Sequence, residues 1–129
     1  MQQLLSATGP APPELVWRRY AHPALWSTWS PQIRRVDCDD AELHSGSRGR
    51  VHGPPGVAVD FTVTAFDPTA MTWAWEVRML MVGVHLRLQH GVQADPLGSR
   101  TWLRLDGPAP VVLGYAPVAR WALRRLVRP

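Results

Sequence analysis

The chain of 129 residues contains no lysine, no asparagine and a single cysteine, Cys38. One cysteine excludes an internal disulfide and suits a reducing compartment, so a cytoplasmic protein is expected. All fourteen basic residues are arginine. Lysine and asparagine share A-rich codons, so their joint absence reads as the bias of a high-GC bacterial genome, not as a demand for guanidinium chemistry. The arginines are also dispersed, instead of forming one stripe with aromatics between them. The net charge of +4 and the pI near 10.5 therefore do not amount to a nucleic-acid surface. No apolar run approaches the roughly 20 residues that cross a bilayer, and stable membrane insertion is not expected. The opening stretch MQQLLSATGPAPPE lacks the basic and apolar regions of a secretory signal.

Metal and nucleophile signatures are missing as well. His22, His44, His52, His85 and His90 are spread along the chain, and the nearest pair, His85 and His90, falls on opposite faces of one predicted strand. No zinc-type spacing, nucleophile elbow or phosphate-cradling glycine loop occurs, so neither a metal nor a cofactor is expected. Phenylalanine and tyrosine are scarce, at two each, whereas tryptophan numbers seven. Each indole buries a large area, so a few of them can build a core or wall a pocket.

What the chain has is alternation. Val59, Phe61, Val63 and Ala65 share one face, with Asp60, Thr62 and Thr64 on the other. Trp73, Trp75, Val77 and Met79 repeat the pattern. Val82, Val84, Leu86, Leu88, His90 and Val92 continue it, opposite His85, Arg87 and Gln89. A period of two with one apolar side means half-buried antiparallel strands. Strands are predicted near 33–38, 48–53, 57–66, 71–80, 82–94 and 99–106, joined by turn residues such as Asp67-Pro68-Thr69 and Asp95-Pro96-Leu97-Gly98. Residues 2–7 supply a first strand. Pro12, Pro13 and Glu14 open a short helix through Tyr20, and Ala24–Trp29 forms a second. After Gly107-Pro108-Ala109-Pro110 the period turns helical, with Tyr115, Val118, Ala119, Ala122 and Leu126 on one face. That helix begins either near Pro110, with a kink at Pro117, or near Ala116; the longer version covers the sheet better.

Several stretches carry a family likeness. They are Pro13-Glu14-Leu15-Val16-Trp17, His22-Pro23-Ala24-Leu25-Trp26-Ser27-Thr28-Trp29-Ser30-Pro31 and Gly46-Ser47-Arg48-Gly49-Arg50-Val51. Phe61-Thr62-Val63-Thr64 through Asp67-Pro68, Trp73-Ala74-Trp75, His90-Gly91-Val92 and Gly98-Ser99-Arg100-Thr101 complete it. Together with the element order, they resemble the START-like (SRPBCC) superfamily, and within it the polyketide cyclase/dehydrase-type proteins. The resemblance implies a single α+β helix-grip domain over 1–129. A curved antiparallel sheet of about seven strands would wrap a C-terminal helix, with two short helices after the first strand. It also implies an apolar cavity for a small hydrophobic, lipid-like or polyketide-like molecule.

On that fold Phe61, Val63, Trp73, Trp75, Leu86, Leu88, His90, Leu103, Tyr115 and Ala119 are expected to line the cavity, with Trp26 and Trp29 at its mouth. Each has a plainer reading. The tryptophans and Phe61 equally serve as core filler, and Trp26 and Trp29 as a structural plug. His90, in phase with Leu86 and Leu88, is either a general acid or base near neutral pH or a core histidine bonded to a neighbour. Tyr115 is the second candidate for proton transfer. Three functions follow: a carrier of a hydrophobic molecule, a cyclase or dehydratase using the same cavity, or a protein-interaction module without a ligand. Arg120, Arg124, Arg125 and Arg128 read as a solvated helix face.

Overall fold

The computed structural model describes residues 1–79 and 83–129, and among them seven strands form one antiparallel sheet. The strands are β1 (Gln2–Gly9), β2 (Arg35–Cys38), β3 (Arg48–His52), β4 (Ala58–Asp67), β5 (Thr72–Met79), β6 (Val84–Asp95) and β7 (Gly98–Asp106). Their spatial order, β1-β7-β6-β5-β4-β3-β2, makes β2 to β7 a meander and brings the first strand beside the last. The helices are α1 (Pro13–Ala21), α2 (Trp26–Trp29), which follows a 3₁₀ turn at Pro23–Leu25, and α3 (Ala109–Leu126). The first strand is longer than the sequence indicates, pairing with β7 from Gln2 opposite Asp106 to Gly9 opposite Ser99. Val82 lies outside the described residues.

Proline chemistry sets the helix ends. Pro12 caps α1 in an extended conformation, and its carbonyl accepts from the amides of Leu15 and Val16. His22 is driven extended by Pro23 and ends the helix. Pro108 plays the same starting role for α3, accepting from Val111 and Val112. The longer of the two expected C-terminal helices is therefore the one that forms, with Pro117 inside it. Pro117 has no N–H to give the Leu113 carbonyl, and both residues are exposed.

The alternation holds along β5 and β6 but breaks once in β4. Val63 pairs with Trp75 and Ala65 with Ala74, so Thr64 is an extra residue in a β-bulge. The bulge inverts the phase. Ala65, expected inside, is exposed, and Phe66 turns in to meet Trp17 at a ring-centroid distance of 5.1 Å.

The final helix packs chiefly against β1 and β7. Its C-terminal end is tied down by Arg19, whose Nη1 donates to the carbonyls of Leu126 and Arg128 at 2.7 and 2.6 Å. The Ala11 amide donates to Val127 O at 3.0 Å on the same side. At its other end α3 stands away from β3–β6, and this difference creates the space described next.

Candidate functional site

Beneath the C-terminal half of α3 the interior is filled with rings. Trp26, Phe61, Trp73 and Trp75 pack with centroids 5.2 to 5.8 Å apart. His90 lies nearly parallel to Trp73, at 4.7 Å and 12°. Through this cluster runs a hydrogen-bonded chain whose direction is fixed at both ends. Trp75 Nε1 can only donate, so His90 Nε2, 3.0 Å away, accepts. At the far end Thr101 Oγ1 spends its one proton on Gly91 O at 3.0 Å. The Tyr20 hydroxyl, 2.5 Å from Thr101 Oγ1, must therefore donate to it. His90 Nδ1 carries the ring proton and gives it to the Tyr20 oxygen at 3.2 Å.

Every ring nitrogen and hydroxyl in that chain is satisfied, and burial sets the ionisation states. Desolvation lowers the His90 pKa to about 3, so the imidazole is neutral at physiological pH. Desolvation also raises the Tyr20 hydroxyl, which stays protonated despite the Thr101 bond acting the other way. A small inner void of about 30 Å³ borders His90, Trp73 and Leu103 beneath Ala119 and Leu123. It has room for one or two solvent-sized groups. Trp73 Nε1 is buried and has no partner among the described residues.

Beneath the N-terminal half of α3 the interior opens into a cavity of about 450 Å³. Its floor is aliphatic: Val51 and Val59 of β3 and β4, Val77 and Met79 of β5, and Leu86 and Leu88 of β6. Val111, Gly114, Tyr115 and Val118 of α3 form the roof, and Gln32, Ile33 and the Gly53–Val57 turn close one side. Trp75, Ile33 and Tyr115 border both spaces and make the partition between them. Among the described residues that line it, none is charged. The polar side chains are Gln32 and Tyr115, whose Nε2 and hydroxyl are 3.4 Å apart, while Gln32 Oε1 is buried without a partner among the described residues. Burial raises the Tyr115 hydroxyl to about 12, the Gln32 contact opposing it, so it remains a proton donor.

The candidate residues divide between these spaces. Leu86, Leu88, Trp75 and Tyr115 border the large cavity; Trp73, His90, Leu103 and Ala119 border only the inner void. Phe61 and Val63 are buried core and border neither space. Trp26 and Trp29 border the inner void, and their indole N–H groups donate to the backbone carbonyls of Tyr20 and Arg19 at 2.9 and 3.1 Å. Val59, Val77 and Met79 were on the apolar face in the alternation, so their place in the floor was available from it. Gln32 and the Gly53–Val57 turn sit in loops, where no period marks a side chain as inward. Among the described residues no group of three or more His, Cys, Asp or Glu is placed to hold a metal ion.

Residues 5–129 match the sequence model of the family described as polyketide cyclase / dehydrase and lipid transport. No curated protein matches the chain. Solved structures share the fold at low identity. Protein MLL2253 from Mesorhizobium loti is 16% identical with a TM-score of 0.82, over 98% of this chain and 93% of that one. Ara h 8.0201 is 13% identical with a TM-score of 0.78, over 98% and 94%. The di-domain ARO/CYC BexL of the BE-7585A biosynthetic pathway is 16% identical with a TM-score of 0.81, over 98% of this chain and 45% of its own. No helix of the described residues is long and apolar enough to cross a membrane.

Proposed function

The chain belongs to the polyketide cyclase / dehydrase and lipid transport family, and from that premise we propose that it binds a small hydrophobic molecule between α3 and strands β3–β6. The observation that carries this reading is the cavity of about 450 Å³ with an aliphatic lining and no charged residue among the described ones. Its volume falls in the range of small-molecule sites, roughly 300–1,000 Å³. Transfer of apolar ligand surface onto these walls contributes roughly 25 cal/mol per Å² before the costs of association. A pure interaction module would have no need of such a space.

The enzymatic alternative draws on Tyr115. Its hydroxyl borders the cavity and stays protonated, as a donor to a developing enolate would have to. His90 is a poorer candidate, because both ring nitrogens are engaged and the ring borders the inner void alone.

Native and then denaturing mass spectrometry of the purified protein tests the binding reading. Release of an apolar compound on denaturation is expected, and failing that, a rise in melting temperature with at least some of a panel of polycyclic and aliphatic compounds. No released compound and no shift across the panel would sink it. The family description, polyketide cyclase / dehydrase, suggests polyketide substrates for the enzymatic alternative; turnover of one, abolished in Tyr115→Phe, would establish that alternative.

A further inference from the structure

We propose that the cavity selects a neutral molecule bearing a hydroxyl group, held where Gln32 and Tyr115 meet, and that it rejects anions; this rests on the binding reading above. Two observations carry it. The first is the missing counter-charge. None of the seventeen described residues around the cavity is Asp, Glu, Arg or His, so a carboxylate or phosphate drawn inside would be desolvated with none of them to pair it. That penalty far exceeds what the apolar remainder of a small ligand recovers. Fatty-acid carboxylates and phospholipid headgroups are therefore excluded from the interior, despite the chain's net positive charge of +4.

The second observation is an incomplete hydrogen-bond pair. Gln32 Nε2 lies 3.4 Å from the Tyr115 oxygen, a long contact, and Gln32 Oε1 is buried with no hydrogen-bond partner among the described residues. With the amide oriented this way, the Tyr115 O–H is free to donate and Oε1 is free to accept. Rotating the amide by half a turn exchanges its oxygen and nitrogen. Tyr115 then donates to the amide oxygen, and the amide nitrogen is left seeking an acceptor. A ketone satisfies only the donors, and an indole-type N–H only the acceptor. A hydroxyl both donates and accepts, so it completes the pair in either orientation. Its aromatic or alicyclic body then lies along the aliphatic floor toward Leu86 and Leu88, with the Trp75 indole at one edge.

The test is isothermal titration of the full chain at neutral pH with three probes of one skeleton: 2-naphthol, 2-methylnaphthalene and 2-naphthoate. The expected order is 2-naphthol tightest, 2-methylnaphthalene about ten-fold weaker and 2-naphthoate weakest. In Tyr115→Phe, and separately in Gln32→Leu, the ratio between 2-naphthol and 2-methylnaphthalene should fall toward one. Naphthoate binding as tightly as naphthol would overturn the inference while leaving the cavity reading intact. So would an unchanged ratio in both variants. Failure of all three probes to bind the unaltered protein would remove the binding reading itself, and this inference with it.

Discussion

Trp75 donates its indole N–H to His90 at 3.0 Å and, on its other side, walls the cavity beneath the start of α3. One side chain thus joins the closed, ring-filled half of the interior to its open, aliphatic half. The junction explains why a histidine is tolerated at the centre of an apolar domain. His90 reaches an N–H donor on one side and a hydroxyl acceptor on the other, so burying it leaves no polar atom unpaired.

A pH dependence follows from that burial. The folded imidazole has a pKa of about 3, against roughly 6.5 when unfolded. Between those values the unfolded chain takes up a proton that the folded chain refuses. Stability from this group is therefore complete above about pH 6.5 and lost progressively toward pH 3, on the order of a few kcal/mol in all. His90→Gln should be less stable than the parent at about pH 7, with the gap narrowing at about pH 4 as the parent loses its advantage. Urea unfolding at both values reads this directly. A gap of equal size at both would mean that His90 is not held neutral.

Filling the cavity should separate binding from folding. Val118 lines the roof and is only half-buried, so Val118→Phe can place its ring in the space without displacing packed atoms. The expected result is at least a ten-fold loss of affinity for 2-methylnaphthalene with an unchanged or raised melting temperature. Undiminished affinity in a folded variant would locate the bound molecule elsewhere.

Gly91 makes room for a neighbour. A Cβ at this position would run into the indole of Trp102, its partner across the β6–β7 ladder. Gly91→Ala should cost about 1–3 kcal/mol through overpacking. Adding Trp102→Val should recover part of that loss, and a double-mutant cycle by chemical denaturation measures the coupling. Strict additivity of the two changes would show that the clash is relieved some other way.

Arg19 is the clamp on the end of α3. Its guanidinium donates to the carbonyls of both Leu126 and Arg128, and Arg19→Met removes those bonds while keeping most of the apolar stem. A loss of about 1–3 kcal/mol is expected, with faster amide exchange confined to the last turns of α3. If exchange in that helix were unaltered, the clamp would be ornamental.

Much of the architecture was legible in the residues themselves. Strict alternation in 72–79 and 84–92 marked both the strands and their buried side, since a strand has only two faces to choose between. Prolines at 12, 13, 108 and 110 marked the helix starts, because a missing N–H does no harm in the first turn. The bulge at Thr64 was not legible. Nothing local distinguishes Ala65 from Phe66 as the inward residue until Trp17 is in place to receive the larger one.

The candidate site shows the same limit more sharply. Sequence alone determined that the inner face would be apolar, rich in tryptophan and crossed by one histidine, because periodicity assigns a residue to a face. It did not determine which part of that face is filled and which is open. That depended on where α3 lies, close to β1 and β7 and away from β3–β6, and on contacts between residues such as Gln32 and Tyr115, 83 positions apart. Distances of that kind are set by packing the whole chain at once, so the tertiary structure alone decided that Trp26 and Trp73 fill the closed half while Val59, Val77, Leu86 and Leu88 line the cavity.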